Sequence, residues 1–484
     1  MCMRQFIIPN RKQQLLFAQI DLESIAPVGS ALRTIDALVD EMDTSAIEAE
    51  YDLESEQGRN PIHPKTMIKV GLYALYNCRF TLRKMEYDTT AHLGYRWLTG
   101  DEGIDHSTMG KFMSRYKELI VELFAQVVEI GIKEDVINFD VLAVDTVKIR
   151  ANASYKQFRT VKQLEEEREK IRGRIRELIE KAGDDDDAQR EALEKREAAL
   201  KAAVAELRDR IREKTEGKSD TERKKAEEKE KINVTDHDCS LMQQANGEIN
   251  PAYSVTTTVD AGSDFITHVQ VNEGNNDAAA LLEAVAGSEH ETGSSHTTVA
   301  ADAGFASMDN YEKLEEQGQD ALIPDKRLDV EERGETAKGD YDRSQFRYER
   351  SCDRYVCPGG KRLARNGTVH QGGREYGRYV NPKACAGCPN REQCTKSSCR
   401  VILRDTNEPV RERMRKKLKK KKQKKRYGLR AHTVESTYGQ IKQNLKYRMF
   451  MRRGKPKVLL EATLLCMLHN IMKIGAMRTR ALTA

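Results

Sequence analysis

Three β-rich runs, at 137–149, 253–271 and 296–302, stand far apart in a chain whose remaining segments read as helix or as charged, polar connection. Strands so separated join one sheet only by crossing over helices, which constrains the fold to an α/β class. The first run holds Val141, Leu142, Val144, Val147 and Ile149, with Asp145 among them. The second divides into SVTTTV and FITHVQV around Asp260-Ala-Gly-Ser-Asp264, the polar break of a hairpin. The third, HTTVAAD, ends on Asp302 and leads to a helical stretch at 308–317 and a short apolar run, Ala321-Leu-Ile-Pro324.

The segments between the runs set the domain organisation. Residues 1–135 read as an all-α N-terminal domain. Leu32, Ile35, Leu38 and Val39 repeat at helical spacing, as do Met67, Ile68, Leu72, Leu75 and Tyr76 behind the helix opener His63-Pro64. A further helix is expected over 111–130, with Leu119, Leu123, Val127 and Ile130 on one face. Such a bundle suits either DNA binding or a structural cap. The sheet residues fall in 136–156 and 232–325. Between these parts, 157–231 is nearly all charged helix former, with Leu193, Leu200, Val204, Leu207 and Ile211 at 3–4 spacing and a break at Gly183-Asp-Asp-Asp-Asp187. That pattern predicts a coiled-coil hairpin, either a structural arm or a contact for a second copy or DNA. Residues 326–426 are polar, loop-rich and cysteine-bearing. Residues 427–484 return to helix, with one apolar face of Val434, Tyr438, Ile441 and Leu445 and another of Leu460, Leu464, Leu468 and Ile471.

Charge is unevenly distributed. The 484 residues carry a net +5, yet 411–426 holds twelve Lys or Arg and one Glu, so this block contributes +11 and the remainder −6. The block suits a polyanionic partner or a solvated linker. No stretch reaches the ~18–20 apolar residues of a membrane span, and the N-terminus lacks the apolar run of a signal peptide. The expectation is a cytoplasmic, nucleoid-associated protein with no membrane partner, its ten cysteines reduced or metal-bound.

Three acids carry the chemistry. Asp145 sits mid-strand among apolar neighbours, where a charge is costly unless paired or metal-bound. Asp302 closes a strand, at the end where α/β sheets place their sites. Glu435 opens a helix face continued by Gly439 and Lys442, and Lys442 suits a phosphate contact. Phosphodiester cleavage needs such acids to hold hard cations, Mg²⁺ or Mn²⁺, two of them in the usual arrangement. The order strand–Asp, hairpin, strand–Asp, helix, strand, helix–Glu fits an RNase H-like core, giving a mixed-sheet α/β catalytic domain with helical-hairpin and Cys-rich insertions.

Several motifs resemble the DDE transposases of insertion sequences. VDTVKIRANAS (144–154) is similar to the block of the first Asp, ADAGFAS (301–307) to the second, and HTVESTYGQIKQNLKYRMFMRRG (432–454) to the third. LLCMLHNIMKI (464–474) is similar to the closing helix, and 63–88 to the N-terminal domain. The subgroup it most resembles carries Tyr-x2-Arg-x3-Glu-x6-Lys. Here Tyr427-x2-Arg430 is followed by four residues before Glu435, while Glu435-x6-Lys442 keeps the spacing. The resemblance implies metal-dependent cleavage at the element's ends and attack of the freed 3′-hydroxyl on target DNA. It also implies double-stranded DNA as partner (terminal inverted repeats and target), a homodimer on that DNA, catalysis by Asp145, Asp302 and Glu435, and DNA contacts from Lys442, Arg430, Arg452 and Arg453. A catalytically inactive DNA-binding derivative and a metal nuclease without joining activity are the alternatives.

Six cysteines fall within 352–399 amid Pro-Gly-Gly and Cys-Pro turns. Cys357, Cys385, Cys388 and Cys394 are the expected ligands of a structural Zn²⁺, with Cys352 as substitute; uncoordinated reduced thiols are the alternative. Asp236-His237-Asp238 reads as a polar strand entry rather than a metal site.

Overall fold

The computed structural model describes residues 22–51, 60–181, 187–244, 246–272, 274, 277–325, 328 and 341–483. The expected hairpin break at 183–186 and Cys2 lie outside them. The N-terminal part is helical: α1 (Ala31–Asp40), α2 (Pro64–Tyr76), α3 (Leu82–Ala91), α4 (Leu93–Thr99), α5 (His106–Arg115) and α6 (Lys117–Lys133). Local chemistry sets their starts. The Ser30 side chain accepts from the Arg33 N–H at 3.3 Å, and His63 Nδ1 accepts from the Lys65 N–H at 3.2 Å with Pro64 in the first turn. The single helix expected over 111–130 is two, because Asp105 caps α5 through the Ser107 and Thr108 N–H groups and Tyr116 separates it from α6.

The sheet comprises β1 (Val141–Arg150), β2 (Ser240–Gln243), β3 (Ile249–Asp260), β4 (Phe265–Val271), β5 (Thr298–Ala301) and β6 (Asp320–Leu322). Its order is β4-β3-β1-β5-β6, with β2 sharing the β3 edge with β4. Strand β3 runs antiparallel to β1, while β5 is parallel to both β1 and β6. This is the mixed sheet of an RNase H-like fold. The β3–β4 hairpin falls at the expected polar break, where the Asp260 carboxylate accepts from the Gly262 and Ser263 N–H groups.

Between β1 and β2, helices α7 (Val161–Lys181) and α8 (Asp187–Lys214) form the expected antiparallel hairpin. Leu164, Ile171, Leu200, Val204, Leu207 and Ile211 fill its seam, and Arg168 bridges to Glu197 at 2.8 Å. Its base is tied into the core. Asp236 accepts from the Tyr253 hydroxyl at 2.6 Å and the Gly454 N–H at 3.1 Å, and Asp238 accepts from the Lys455 N–H at 2.7 Å.

One sheet face carries α9 (Asp277–Thr292) and α10 (Met308–Glu316), packed on Leu142, Val144, Val299 and Ala301. Helix α9 was not anticipated, although Ala280, Leu281, Ala284, Val285 and Ser288 have helical spacing and are buried.

Two further departures concern the C-terminal half. Residues 347–405, read as loop, hold a five-stranded antiparallel meander: β7 (Arg347–Glu349), β8 (Arg354–Val356), β9 (Arg362–Gln371), β10 (Arg374–Val380) and β11 (Ile402–Asp405). The signal was present in Gly372-Gly373, whose φ values of 58° and 75° make the two-residue β9–β10 turn. The basic block is not a linker, since it folds into α11 (Glu408–Leu418) and the start of α12 (Lys421–Gly439). Several of its cations are engaged internally, among them Arg411 with Glu408, Arg413 with Glu315, Arg415 with Asp325, Lys417 with Asp320 and Arg426 with Asp140.

Helix α13 (Lys455–Thr483) closes the chain. Over Lys455–Ala481 it is long and apolar enough to cross a membrane, contrary to the sequence reading, but 78% of its most apolar window is buried in the protein. It packs with α1, α6 and β4 in the largest hydrophobic core, so the N-terminal helices and the sheet share one interior. Its Asn470 side chain accepts from the Ile266 N–H (2.9 Å) and donates to the Ile266 carbonyl (2.7 Å), occupying backbone groups on the outer edge of β4.

Candidate active site

Register brings Asp145 and Asp302 together. Val144 pairs with Ala301 across the parallel β1–β5 ladder, so the two acids follow in step on neighbouring strands. The alternation of side chains turns both away from the face that α9 and α10 cover. Opposite Asp145 on β3 is Thr257. The Tyr438 hydroxyl from α12 meets the Thr257 hydroxyl at 2.8 Å and donates to the Asp145 carbonyl at 2.9 Å. This buried phenol pins α12 over the acid-bearing face.

The environment of Asp145 is strongly polarised. Its side chain is 19% exposed, and Arg430 Nη1 lies 3.5 Å from Oδ1. Burial pushes the carboxyl up to about 6, against the pull of Arg430 and with the charge of Asp302 adding to the rise. Lys442, half-buried, is lowered by burial while Asp145 opposes the shift, which places it on the same side. The guanidinium of Arg430 also stacks 5.7 Å from the Tyr427 ring centre. Arg430 and Lys442 thus balance the acids with fixed positive charge.

Asp302 caps the turn Ala303–Phe305, its Oδ1 accepting from the Gly304 N–H at 2.8 Å. A Cβ on Gly304 would stand 2.9 Å from that oxygen, so glycine lets the carboxylate bend over the turn. A third acid, unforeseen in the sequence, stands nearby. Asp277 opens α9, receives the Ser254 hydroxyl at 3.4 Å, and is raised first by burial, with Lys148 opposing and Asp302 adding. The usable signal was an Asp directly before the apolar-periodic run 278–285.

Glu435 is placed differently. It lies on the exposed side of α12, without a hydrogen bond or ion pair of its side chain among the described residues. It stands five positions after Arg430 in the sequence, about 140° around a helix. Arg453 is exposed and donates to the Asn152 carbonyl at 2.8 Å. Arg452 points inward to Glu461 (3.7 Å) and Ser114 (3.4 Å), with burial lowering its pKa. Both line a cleft of about 810 Å³ between the N-terminal helices and α13, with Arg83 and Lys457. None of the candidate acids lines that cleft.

Among the described residues no three His, Cys, Asp or Glu side chains are already drawn together as a closed metal site. The donor chemistry of Asp145 and Asp302 nonetheless fits a hard cation. Both are oxygen donors, and the charge of Asp302 raises the cost of ionising Asp145 and Asp277. Mg²⁺ commonly takes one or two carboxylates and completes its sphere with water and substrate phosphate.

Residues 356–475 match a family described as a transposase DDE domain, and residues 20–115 match a transposase domain family (DUF772). Together these matches support an insertion-sequence DDE transposase. No curated protein matches it. The first of these matches spans Arg430, Glu435, Lys442 and the cysteine cluster, whereas Asp145 and Asp302 precede it. A transposase family implies a DNA substrate, and DDE transposases generally use divalent metal ions.

Proposed function

We propose that this transposase cleaves DNA at the ends of its insertion sequence and joins the freed 3′-hydroxyl to target DNA. Asp145 and Asp302 hold the divalent cations, and Glu435 supplies the third carboxylate. The observation that carries the reading is the step-for-step placement of Asp145 and Asp302 on adjoining parallel strands. In the first reaction a water oxygen bonds to phosphorus, the P–O3′ bond breaks, and the 3′ oxygen takes a proton. In the second that 3′-hydroxyl loses its proton, attacks a target phosphorus, and displaces a target 3′ oxygen. Asp145 and Asp302, with Glu435, would hold Mg²⁺ or Mn²⁺, two ions in the usual arrangement, which would supply Lewis acidity to the reacting oxygens. Arg430 holds Asp145 in place before DNA arrives, and Lys442 neutralises a phosphate oxygen beside it. Tyr438 fixes the distance between α12 and β1, and hence the approach of residues on that helix to the acids. Arg453 contacts the DNA backbone, and two copies act together at the paired ends, in the cytoplasm on the nucleoid.

The test is a strand-transfer assay with element-end DNA and Mg²⁺ or Mn²⁺. Wild type should give joined product, and Asp145→Asn and Asp302→Asn none. Equal product from wild type and Asp145→Asn would remove the catalytic reading. Nicks without joined product would reduce the protein to a metal nuclease. The exposed setting of Glu435 favours one second reading, a DNA-binding derivative without catalysis; binding of end DNA with neither nicks nor joined product would establish it.

A further inference from the structure

Strands β10 and β11 are antiparallel neighbours, yet 21 residues, 381–401, connect them. Adjacent antiparallel strands usually need two to five. The connection holds two short helical turns, Pro382–Ala386 and Arg391–Cys394, and not one of its side chains is buried. A segment of this length with no buried side chain of its own gains most from a covalent or metal staple.

Four of the cysteines lie along this segment and on the neighbouring β8–β9 turn, although among the described residues no three of their side chains are already drawn together. Cys385 and Cys388 flank the end of the first turn, with the Cys388 N–H donating to the Cys385 carbonyl at 3.2 Å. Cys394 ends the second turn and packs against the aromatic cluster of Phe346, Tyr355, Leu363, Tyr379 and Ile402, as does Cys357 from the β8–β9 turn. The Lys361 N–H points at Cys357 Sγ at 3.3 Å, a backbone donor of the kind that stabilises a thiolate. Arg400 donates to the Cys394 carbonyl at 2.9 Å and stacks 5.2 Å from the Phe346 ring, holding that end of the connection down. All four cysteines are free. Cys352 is exposed and sits beside the Ser351 hydroxyl at 3.7 Å, outside this group.

We propose that Cys357, Cys385, Cys388 and Cys394 bind one structural Zn²⁺ as a four-thiolate site, which clips the 381–401 connection onto the meander. Binding draws the four side chains inward and releases their protons to solvent, with no change of oxidation state. The site is independent of the acids on β1 and β5.

The experiment uses full-length protein purified under reducing conditions without chelator. Elemental analysis should give one zinc per chain, and Co²⁺ exchange should give the intense thiolate-to-cobalt charge-transfer bands of a four-sulfur site. Removing zinc with a chelator should raise amide exchange in 381–401 severalfold and leave β1 and β3 unchanged. Cys352→Ser and Cys399→Ser should keep the metal, and Cys388→Ser should lose it. Zinc-free protein that takes up none on reconstitution overturns the proposal, as does bound cobalt without thiolate bands. Unaltered exchange in 381–401 on zinc removal also overturns it. The wild-type metal and exchange measurements decide the matter even where a cysteine variant fails to fold.

Discussion

Asp145 sits where a folded protein gains least from a carboxylate. Burial and Asp302 raise its pKa to about 6, so at neutral pH the fold bears part of the cost of keeping it ionised. Asp145→Asn should therefore leave the thermal midpoint of the metal-free protein unchanged or higher, while strand transfer falls by roughly a thousandfold or more. A lowered midpoint would mean that the Arg430 ion pair outweighs burial. Glu435 gives the complementary case. Its exposed side chain predicts that Glu435→Gln changes the midpoint by less than about 1 °C, since surface substitutions are near neutral. Its proposed third-acid role predicts at least a hundredfold loss of joined product. Full activity of that variant would remove Glu435 from the site. Asp145 and Asp302 were legible in the sequence because a strand states its own facing pattern. Asp277 was not, because its relation to Asp302 exists only once α9 crosses the sheet.

Helix α13 carries two features of its own. His469 Nε2–H donates to the Asp264 carbonyl at 2.7 Å, and burial pushes the ring's pKa down to about 4. The unfolded ring titrates near 6.5. Between these values the unfolded chain binds the proton and the folded one does not. The contribution is therefore whole above pH 6.5 and is lost as pH falls towards 4, about 3 kcal/mol across the window. His469→Gln keeps a donor and should flatten this acid limb in a series of thermal midpoints; an equally steep limb would assign the loss to other groups. On α6, a Cβ at Gly131 would meet the Phe265 ring at 2.6 Å. Gly131→Ala should destabilise by about 1–3 kcal/mol through overpacking, read as a lower midpoint. The α7–α8 hairpin was plain from its heptad-like leucines, since a two-helix seam is local. The β7–β11 meander was missed because its strands are short, charged and half-exposed, so no alternation of apolar residues marks them.

Across the whole molecule, the basic block shows how charge read from sequence overstates what is offered to a partner. Arg411, Arg413, Arg415, Lys417 and Arg426 are committed to internal carboxylates, and all but the Arg411 pair, which lies within α11, fasten α11 and α12 to α10 and the sheet region. Lys421, Lys422 and Lys425 are exposed. Replacing these three with Gln should reduce the slope of log affinity for duplex DNA against log salt by up to about 2.7, at roughly 0.9 per phosphate contact. An unchanged slope would place the DNA path elsewhere, the 810 Å³ cleft beside Arg453 being the next surface to test.

The Asn470 amide has a consequence for how copies of this protein meet. By hydrogen-bonding both backbone groups of Ile266, it occupies one step of the row along which a foreign strand would zip onto β4. A transposase concentrates on DNA at high local density, where an open sheet border invites runaway polymerisation. Here helix α13 blocks that border at Ile266, which opposes edge-to-edge pairing of copies.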